Sequence, residues 1–119
     1  PWGSQNDARK ANVKDNPEDS WHHLVSADSY KHGRGPYSQL QLVGNAKEFT
    51  ADTIAPTVLA MRTFAEILNP PPATGELWYV VKGGSFQSPL AEATPAAIEV
   101  VPARYKAPDL GFRCVRDLN

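Results

Sequence analysis

Residues 77–86, LWYVVKGGSF, constrain this chain more than any other stretch. Trp78, Tyr79, Val80 and Val81 form an unbroken aromatic and β-branched run, which fits a pleated, largely buried strand. Gly83 and Gly84 follow at once, and two residues without Cβ permit positive φ or a close backbone approach, ending the strand in a sharp corner. Ser85 stands at that corner, so residues 86–97 fall where a working surface is expected. Eleven prolines and eight glycines along the chain break up regular structure, predicting a loop-rich fold with short strands and little helix.

The 119 residues make one small domain, and 41% hydrophobic content supports a modest core. Twelve Lys and Arg against 13 Asp and Glu give no field that would gather nucleic acid or an anionic membrane surface. No apolar run approaches the ~18–20 residues of a membrane-spanning helix, and no basic-then-apolar leader opens the sequence. Neither nucleic-acid binding nor membrane insertion is expected. The single cysteine, Cys114, cannot close a disulfide within the chain. Arg113 and Arg116 flank it with positive charge, which favours thiolate, but a free structural thiol in a last strand is the plainer reading.

Residues 5–20 are polar, carry Asn6, Asp7, Asn12, Asp15, Asn16 and Asp19, and read as a loop suited to an ion. In Trp21-His22-His23-Leu24-Val25, adjacent histidines on a strand would point to opposite sides, which argues against one shared metal. Residues 30–37, YKHGRGPY, read as a turn with His32 in solvent. In residues 40–52, LQLVGNAKEFTAD, Gly44-Asn45 marks a turn between an apolar run and a short strand. Gln41, Glu48 and the turn carbonyls can converge there, as a hard cation such as calcium requires or as a hydrogen-bonded turn without metal; spacing leaves both open. Val58, Met61, Ala65 and Leu68, with Leu59 and Phe64 alongside, predict an amphipathic helix of about three or four turns within residues 54–68. Pro56 suits its first turn and Asn69-Pro70-Pro71-Pro72 ends it. Residues 70–75 form a stiff loop, residues 88–101 are rich in Ala, Pro and Glu, residues 102–109 form another loop, and residues 110–115, LGFRCV, form a final strand.

Taken in order, PWG at residues 1–3, Ala11-Asn12-Val13, GPYSQLQLVGNAKEFTAD at 35–52, VVKGGSF at 80–86 and GFRCV at 111–115 form a series. Over nearly the whole chain this series resembles the C-terminal half of the formylglycine-generating enzyme (sulfatase-modifying factor) family. Single motifs such as GGS are weak, but five in order are specific. The resemblance implies an α+β, C-type-lectin-like fold with short antiparallel strands and few helices. It also implies that residues 1–119 are the C-terminal part of one domain. A substantial segment precedes the PWG motif in the family, so an N-terminal half, in the same polypeptide or a partner chain, is expected to cover apolar surface.

The family's oxygen-dependent members hold copper with two cysteine thiolates just after the GGS turn, three positions past the serine and five further on. The corresponding residues here are Ser88 and Ala93, so no copper is expected and the resemblance implies a catalytically inactive member. In the family a calcium ion is held at the glycine-asparagine turn, and the resemblance carries its ligands to Gln41, Gly44, Ala46 and Glu48. Gln41 is one methylene longer than the family's Asn or Asp, and Lys47 replaces a tryptophan. A second set would use Asn12, the carbonyl of Val13, and Asp15 or Asp19. The GFRC cysteine of secreted members pairs with one outside this region, which would place the protein in an oxidising, extracytoplasmic compartment. The expected function is a non-catalytic protein-binding or regulatory module, as in bacterial secretion or serine/threonine-kinase signalling, with a surface at residues 88–98 and Tyr37. The rivals are a fragment of an oxygen-dependent oxidase or sulfoxide synthase whose metal ligands lie in the N-terminal part, and a small-ligand or carbohydrate binder.

Overall fold

The computed structural model of the chain describes residues 1–18 and 23–117. Asp19, Trp21 and His22, with the readings attached to them, lie outside the described residues. Four strands form one curled sheet: β1 is Lys47–Thr53, β2 Trp78–Lys82, β3 Ile98–Pro102 and β4 Leu110–Gly111, in the order β3-β2-β1-β4. The helix α1, Val58–Ala65, joins β1 to β2. Short 3-10 turns at Ala8–Lys10, Lys31–Gly33 and Leu90–Glu92 are the remaining helical pieces among the described residues. The fold is mixed, with one helix and long loops, in keeping with the α+β, loop-rich expectation.

The strand of residues 77–86 forms as its composition predicts. β2 is central, with Trp78 and Val81 each 1% exposed, and pairs antiparallel with both neighbours. Phe49 stands opposite Val81, and Val81 opposite Glu99. Phe49 meets Tyr79 edge to face at 6.2 Å. Because side chains alternate along a strand, Trp78 and Val80 face the opposite side. There Trp78 takes the ring of Phe64 from α1 edge-on at 5.3 Å, and Phe64 in turn meets Tyr105 at 5.0 Å.

Three elements differ from their sequence expectation. The helix is shorter, eight residues in place of the longer span, with Thr57 Oγ1 accepting from the Ala60 N–H at 3.1 Å as its N-cap. None of its residues is fully buried, and Val58 and Leu59 are 70% and 74% exposed. The apolar periodicity outruns the helix because only Phe64 and its neighbours find a partner on the sheet. The last strand is the two residues of β4, not six, and it runs parallel to β1, with Leu110 opposite Lys47 and Gly111 opposite Glu48. The sheet is therefore not wholly antiparallel. Beyond Gly111 the chain leaves the ladder, and Phe112 and Val115 are exposed. β3 arises at the end of the segment read as rich in Ala, Pro and Glu, where the β-branched Ile98, Val100 and Val101 pair in register with β2.

A second core is built from residues outside the strands. Ala11, Val13, Val43 and Ala93 are all buried and packed together, with Trp2, Ala8 and Leu90 against them. It joins the first polar loop, the approach to the Gly44-Asn45 turn and the segment after the Gly-Gly corner.

Candidate functional site

The corner after β2 is made by positive-φ backbone that favours glycine: φ is 92° at Gly83 and 61° at Gly84. Gly84 also faces a tight wall, since a Cβ there would lie 2.5 Å from Ala93 Cβ and 3.4 Å from Ser88 Cβ. Positions 88 and 93 are thus gathered on one side of Gly84. Ser85 is fully buried and donates its hydroxyl to Asp109 Oδ2 at 2.6 Å, while Gln87 N–H donates to Ser85 Oγ at 3.1 Å. Ser88 Oγ accepts from Ser85 N–H at 3.1 Å, and Ser88 N–H donates to Ser85 O at 3.0 Å. Each buried polar group of the corner named here has a partner, as a buried corner must. Ala93, at 0% exposure, is a methyl of the second core.

The Gly44-Asn45 turn is a hub. Gly44 has φ 76° and Asn45 φ 64°. Gly44 N–H donates to Gly83 O at 2.7 Å, Asn45 N–H to Asn12 O at 2.8 Å, and Phe86 N–H to Asn45 O at 3.0 Å. The Asn45 side chain accepts from Asn12 Nδ2 at 3.0 Å and from Val25 N–H at 2.9 Å. A Cβ on Gly44 would meet Asn12 O at 2.5 Å and Val13 Cγ1 at 2.9 Å. The structure therefore brings Asn12, Val13 and Gly44 together. Asn12 is 1% exposed, and its Oδ1 is a buried acceptor with no partner among the described residues. Val13 O, however, accepts from Asn16 N–H at 3.2 Å, and Asp15 Oδ1 accepts from Leu90 N–H at 2.9 Å.

Glu48 and Gln41 are joined by a residue that the sequence reading used only as a neighbour of Cys114. Arg113 donates through Nε to Glu48 Oε2 at 2.6 Å and through Nη2 to Glu48 Oε1 at 2.5 Å. It also donates through Nη1 to Leu40 O at 3.0 Å and through Nη2 to Gln41 O at 2.9 Å. The hydrogen bonds to Glu48 hold the guanidinium pKa above its ordinary value. Gln41, at φ 58°, donates its amide to Ser29 O at 2.9 Å and Ser26 O at 3.3 Å, leaving Oε1 buried and without a partner among the described residues. Lys47 turns away from the loop and pairs with Glu99 at 2.9 Å. A hollow of about 490 Å³ opens beside the loop, lined by Gln41, Ala46, Glu48, Gly111 and Arg113 among others.

The chain matches, over residues 1–118, the FGE-sulfatase family model described as a Sulfatase-modifying factor enzyme 1-like domain. It belongs to that family. No curated protein matches it significantly. At the two positions to which the resemblance assigns copper, a serine hydroxyl that accepts from Ser85 N–H and a core methyl are no thiolate pair, so copper does not fit at Ser88 and Ala93. Calcium fares differently at its two sets. In the Glu48 set both carboxylate oxygens accept from Arg113, while Gln41 Oε1 is a buried acceptor without a partner among the described residues. In the second set Asn12 Oδ1 is an open buried acceptor among the described residues, whereas Val13 O and Asp15 Oδ1 each accept from a backbone N–H. Cys114 is exposed and free among the described residues.

The site residues that sequence reasoning missed are Arg113, Asp109 and the side chain of Asn45. Asn45 had a signal, since an Asx residue after Gly in a positive-φ turn is placed to bond its surroundings. Asp109 and Arg113 had none at short range, because their partners lie 24 and 65 residues away.

Proposed function

We propose that this FGE-sulfatase domain is a non-catalytic binding or regulatory module on a C-type-lectin-like scaffold. The observation that carries the reading is position 93. The family's chemistry needs a thiolate there, and this chain has instead a fully buried methyl packed with Ala11, Val13 and Val43. A site under use for metal chemistry keeps its donor open, whereas this one has been absorbed into a core. Ser88 is likewise committed to its own corner.

What remains at that face is a groove of about 350 Å³ lined by Lys47, Lys82, Glu92, Ile98 and Glu99 with the Gly84 backbone behind them. It borders residues 88–98, carries both signs of charge, and includes Ile98, 52% exposed. Such a surface suits a polypeptide with alternating charge and a small apolar anchor, because mixed charges fix register while the anchor supplies burial. The exposed ring of Tyr37, 84% accessible, offers a second contact on the loops. A protein partner, in a secretion or kinase-signalling setting, is the occupant this reading favours.

The test is direct. The purified protein is offered copper(I) under reducing conditions and then a cysteine-containing sulfatase peptide in air. No stoichiometric copper and no loss of the peptide thiol are expected. Copper-dependent conversion of that cysteine to an aldehyde would overturn the reading.

A further inference from the structure

We infer that the outer edge of β3 receives an extended segment of a partner protein, which adds to the sheet as a further strand and sets a cationic side chain against Glu99. The inference rests on the reading of this domain as a binding module and names how the partner is held. Backbone phase carries it. Ala103 N–H donates to Leu77 O at 2.9 Å, while Trp78 O accepts from Ile54 N–H at 3.1 Å and Val80 O from Thr50 Oγ1 at 2.9 Å. Odd-numbered residues of β2 therefore turn their main-chain groups to β3 and even-numbered ones to β1. Bonded and non-bonded pairs alternate along an antiparallel ladder, so Glu99 and Val101, opposite Val81 and Tyr79, bond to β2. Ile98 and Val100, opposite Lys82 and Val80, turn their N–H and C=O groups outward. β3 is an end strand of the sheet, and no hydrogen bond among the described residues reaches those outward groups. Pro102, in the same phase, has no N–H to present, and its carbonyl accepts from Tyr105 N–H at 3.0 Å, which closes the edge at that end.

The opposite edge of the sheet is protected and this one is not. β4 covers Lys47 and Glu48, and the ladder of β1 shifts register between Phe49 and Thr53, the kind of irregularity that keeps a further strand away. From Ile98 to Val101 β3 carries no bulge, lysine or proline. Main-chain bonds accept any extended chain, so side chains choose the occupant. A second copy is a poor one. Antiparallel pairing that satisfies Ile98 and Val100 of both copies sets Glu99 directly against its counterpart, and like charges so placed are destabilising. The same position favours a cation. Glu99 Oε2 accepts from Lys47 at 2.9 Å, but the side chain is more than half exposed and Oε1 has no partner among the described residues. Glu92, which lines the adjoining groove, has no ion pair among the described residues. Lys82, opposite Ile98, donates to Pro95 O at 3.4 Å.

The partner's pattern follows from the alternation of side chains along a strand. Its residues opposite Ile98 and Val100 share the face of those two side chains, where Ile98 is exposed, and β-branched residues suit them. The residue between them shares the face of Glu99 and is a lysine or arginine. The motif is thus basic, flanked on both sides by β-branched residues, in an extended segment. Main-chain bonds from Ile98 and Val100 with a single exposed ion pair make this a weak, salt-dependent contact.

Titration of the full chain into a fluorescent peptide, Thr-Val-Lys-Val-Thr blocked at both ends, tests the proposal by anisotropy. Binding is expected, and it weakens as salt rises. Glutamate in place of the peptide lysine is expected to weaken it roughly fivefold, a preference that Glu99→Gln removes. Val100→Pro deletes an outward N–H and no bond to β2, and is expected to weaken binding roughly tenfold. N-methylation of both peptide valines removes bonds from the other side and is expected to do the same. No binding by the wild type, equal binding by the wild type and Val100→Pro, or a preference for the glutamate peptide overturns the proposal. A dimer of the chain alone, seen by sedimentation and dissolved by Val100→Pro, gives the edge to a second copy and overturns it too. Should Val100→Pro fail to fold, the N-methylated peptide still decides the question. These failures leave the copper result untouched, and copper-dependent conversion of the sulfatase peptide would overturn the non-catalytic reading whatever the edge binds.

Discussion

The Gly-Gly corner and the Glu48 loop are both tight turns built on positive φ, and both occupy places where the family resemblance puts a metal, yet they are held in opposite ways. The corner is closed by buried, neutral-to-carboxylate hydrogen bonds and by contact of Gly84 with Ala93. The loop is closed at the surface by an ion pair whose side chains are 36% and 26% exposed. Burial makes the first insensitive to solvent and intolerant of added atoms. Exposure makes the second salt-sensitive and tolerant. Two turns of similar backbone are thus closed by different forces, one by packing and buried hydrogen bonds and the other by a partly exposed ion pair.

The largest expected effect is at Gly84. Gly84→Ala puts a Cβ 2.5 Å from Ala93 Cβ at a φ of 61°, and is expected to cost about 3 kcal/mol in urea unfolding. If it costs less than a substitution at the exposed Gly75, where nothing lies within 4 Å of an added Cβ, the corner is not the rigid member of the pair. Next comes Ser85→Ala, which leaves the 8%-exposed Asp109 without its 2.6 Å donor. About 2 kcal/mol is expected, nearly unchanged between low and high salt. A strong salt dependence would erase the contrast with the loop.

Arg113→Ala is expected to cost about 1–2 kcal/mol at low ionic strength, the partial exposure of the pair having been allowed for, and markedly less in high salt. Denaturant midpoints at two salt concentrations measure it, and equal losses in both would place the clasp among the buried interactions. The smallest effect sets a pH limit. Glu76 bonds to Arg104 Nε at 2.5 Å and accepts from Ala73 N–H at 3.1 Å, and the Arg104 bond first, then the backbone bond, lowers its pKa from 4.5. A lowered carboxylate pKa stabilises the fold above the unfolded value, and the gain disappears as pH falls through the folded pKa. Glu76→Gln should therefore flatten the acid limb of the stability curve below about pH 4.5 while leaving neutral-pH salt dependence to Arg113. An acid limb identical to wild type would show that Glu76 takes no part in it.

Much of the fold was legible because its signals are local. Trp78 to Val81 announce a strand by composition, Gly83-Gly84 and Gly44-Asn45 announce turns, and both turns have the positive φ that those residues allow. The helix was legible in place but not in length, since periodicity marks which residues can face a core and not how many find one. β3 was overlooked, and the parallel pairing of β4 was not legible. In β3 the local signal, Ile98, Val100 and Val101, is short and adjoins an Ala- and Pro-rich stretch, and the register with β2 fixes its extent. The candidate site divided in the same manner: Gln41, Ala46 and Glu48 line one hollow, but the pairing of Glu48 with Arg113, 65 residues away, was invisible at short range.

By itself, then, the sequence determined the family, the central strand with its corner, and the absence of the thiol pair at Ser88 and Ala93, because residue identity and local backbone preference suffice for these. Only the tertiary structure decided what surrounds Ala93 and Glu48. That Ala93 is a core methyl depends on Ala11, Val13 and Val43 arriving from other segments, and that Glu48 is neutralised by Arg113 depends on a contact across 65 residues. Packing and ion pairing are properties of neighbours in space, and a chain read in order does not list them.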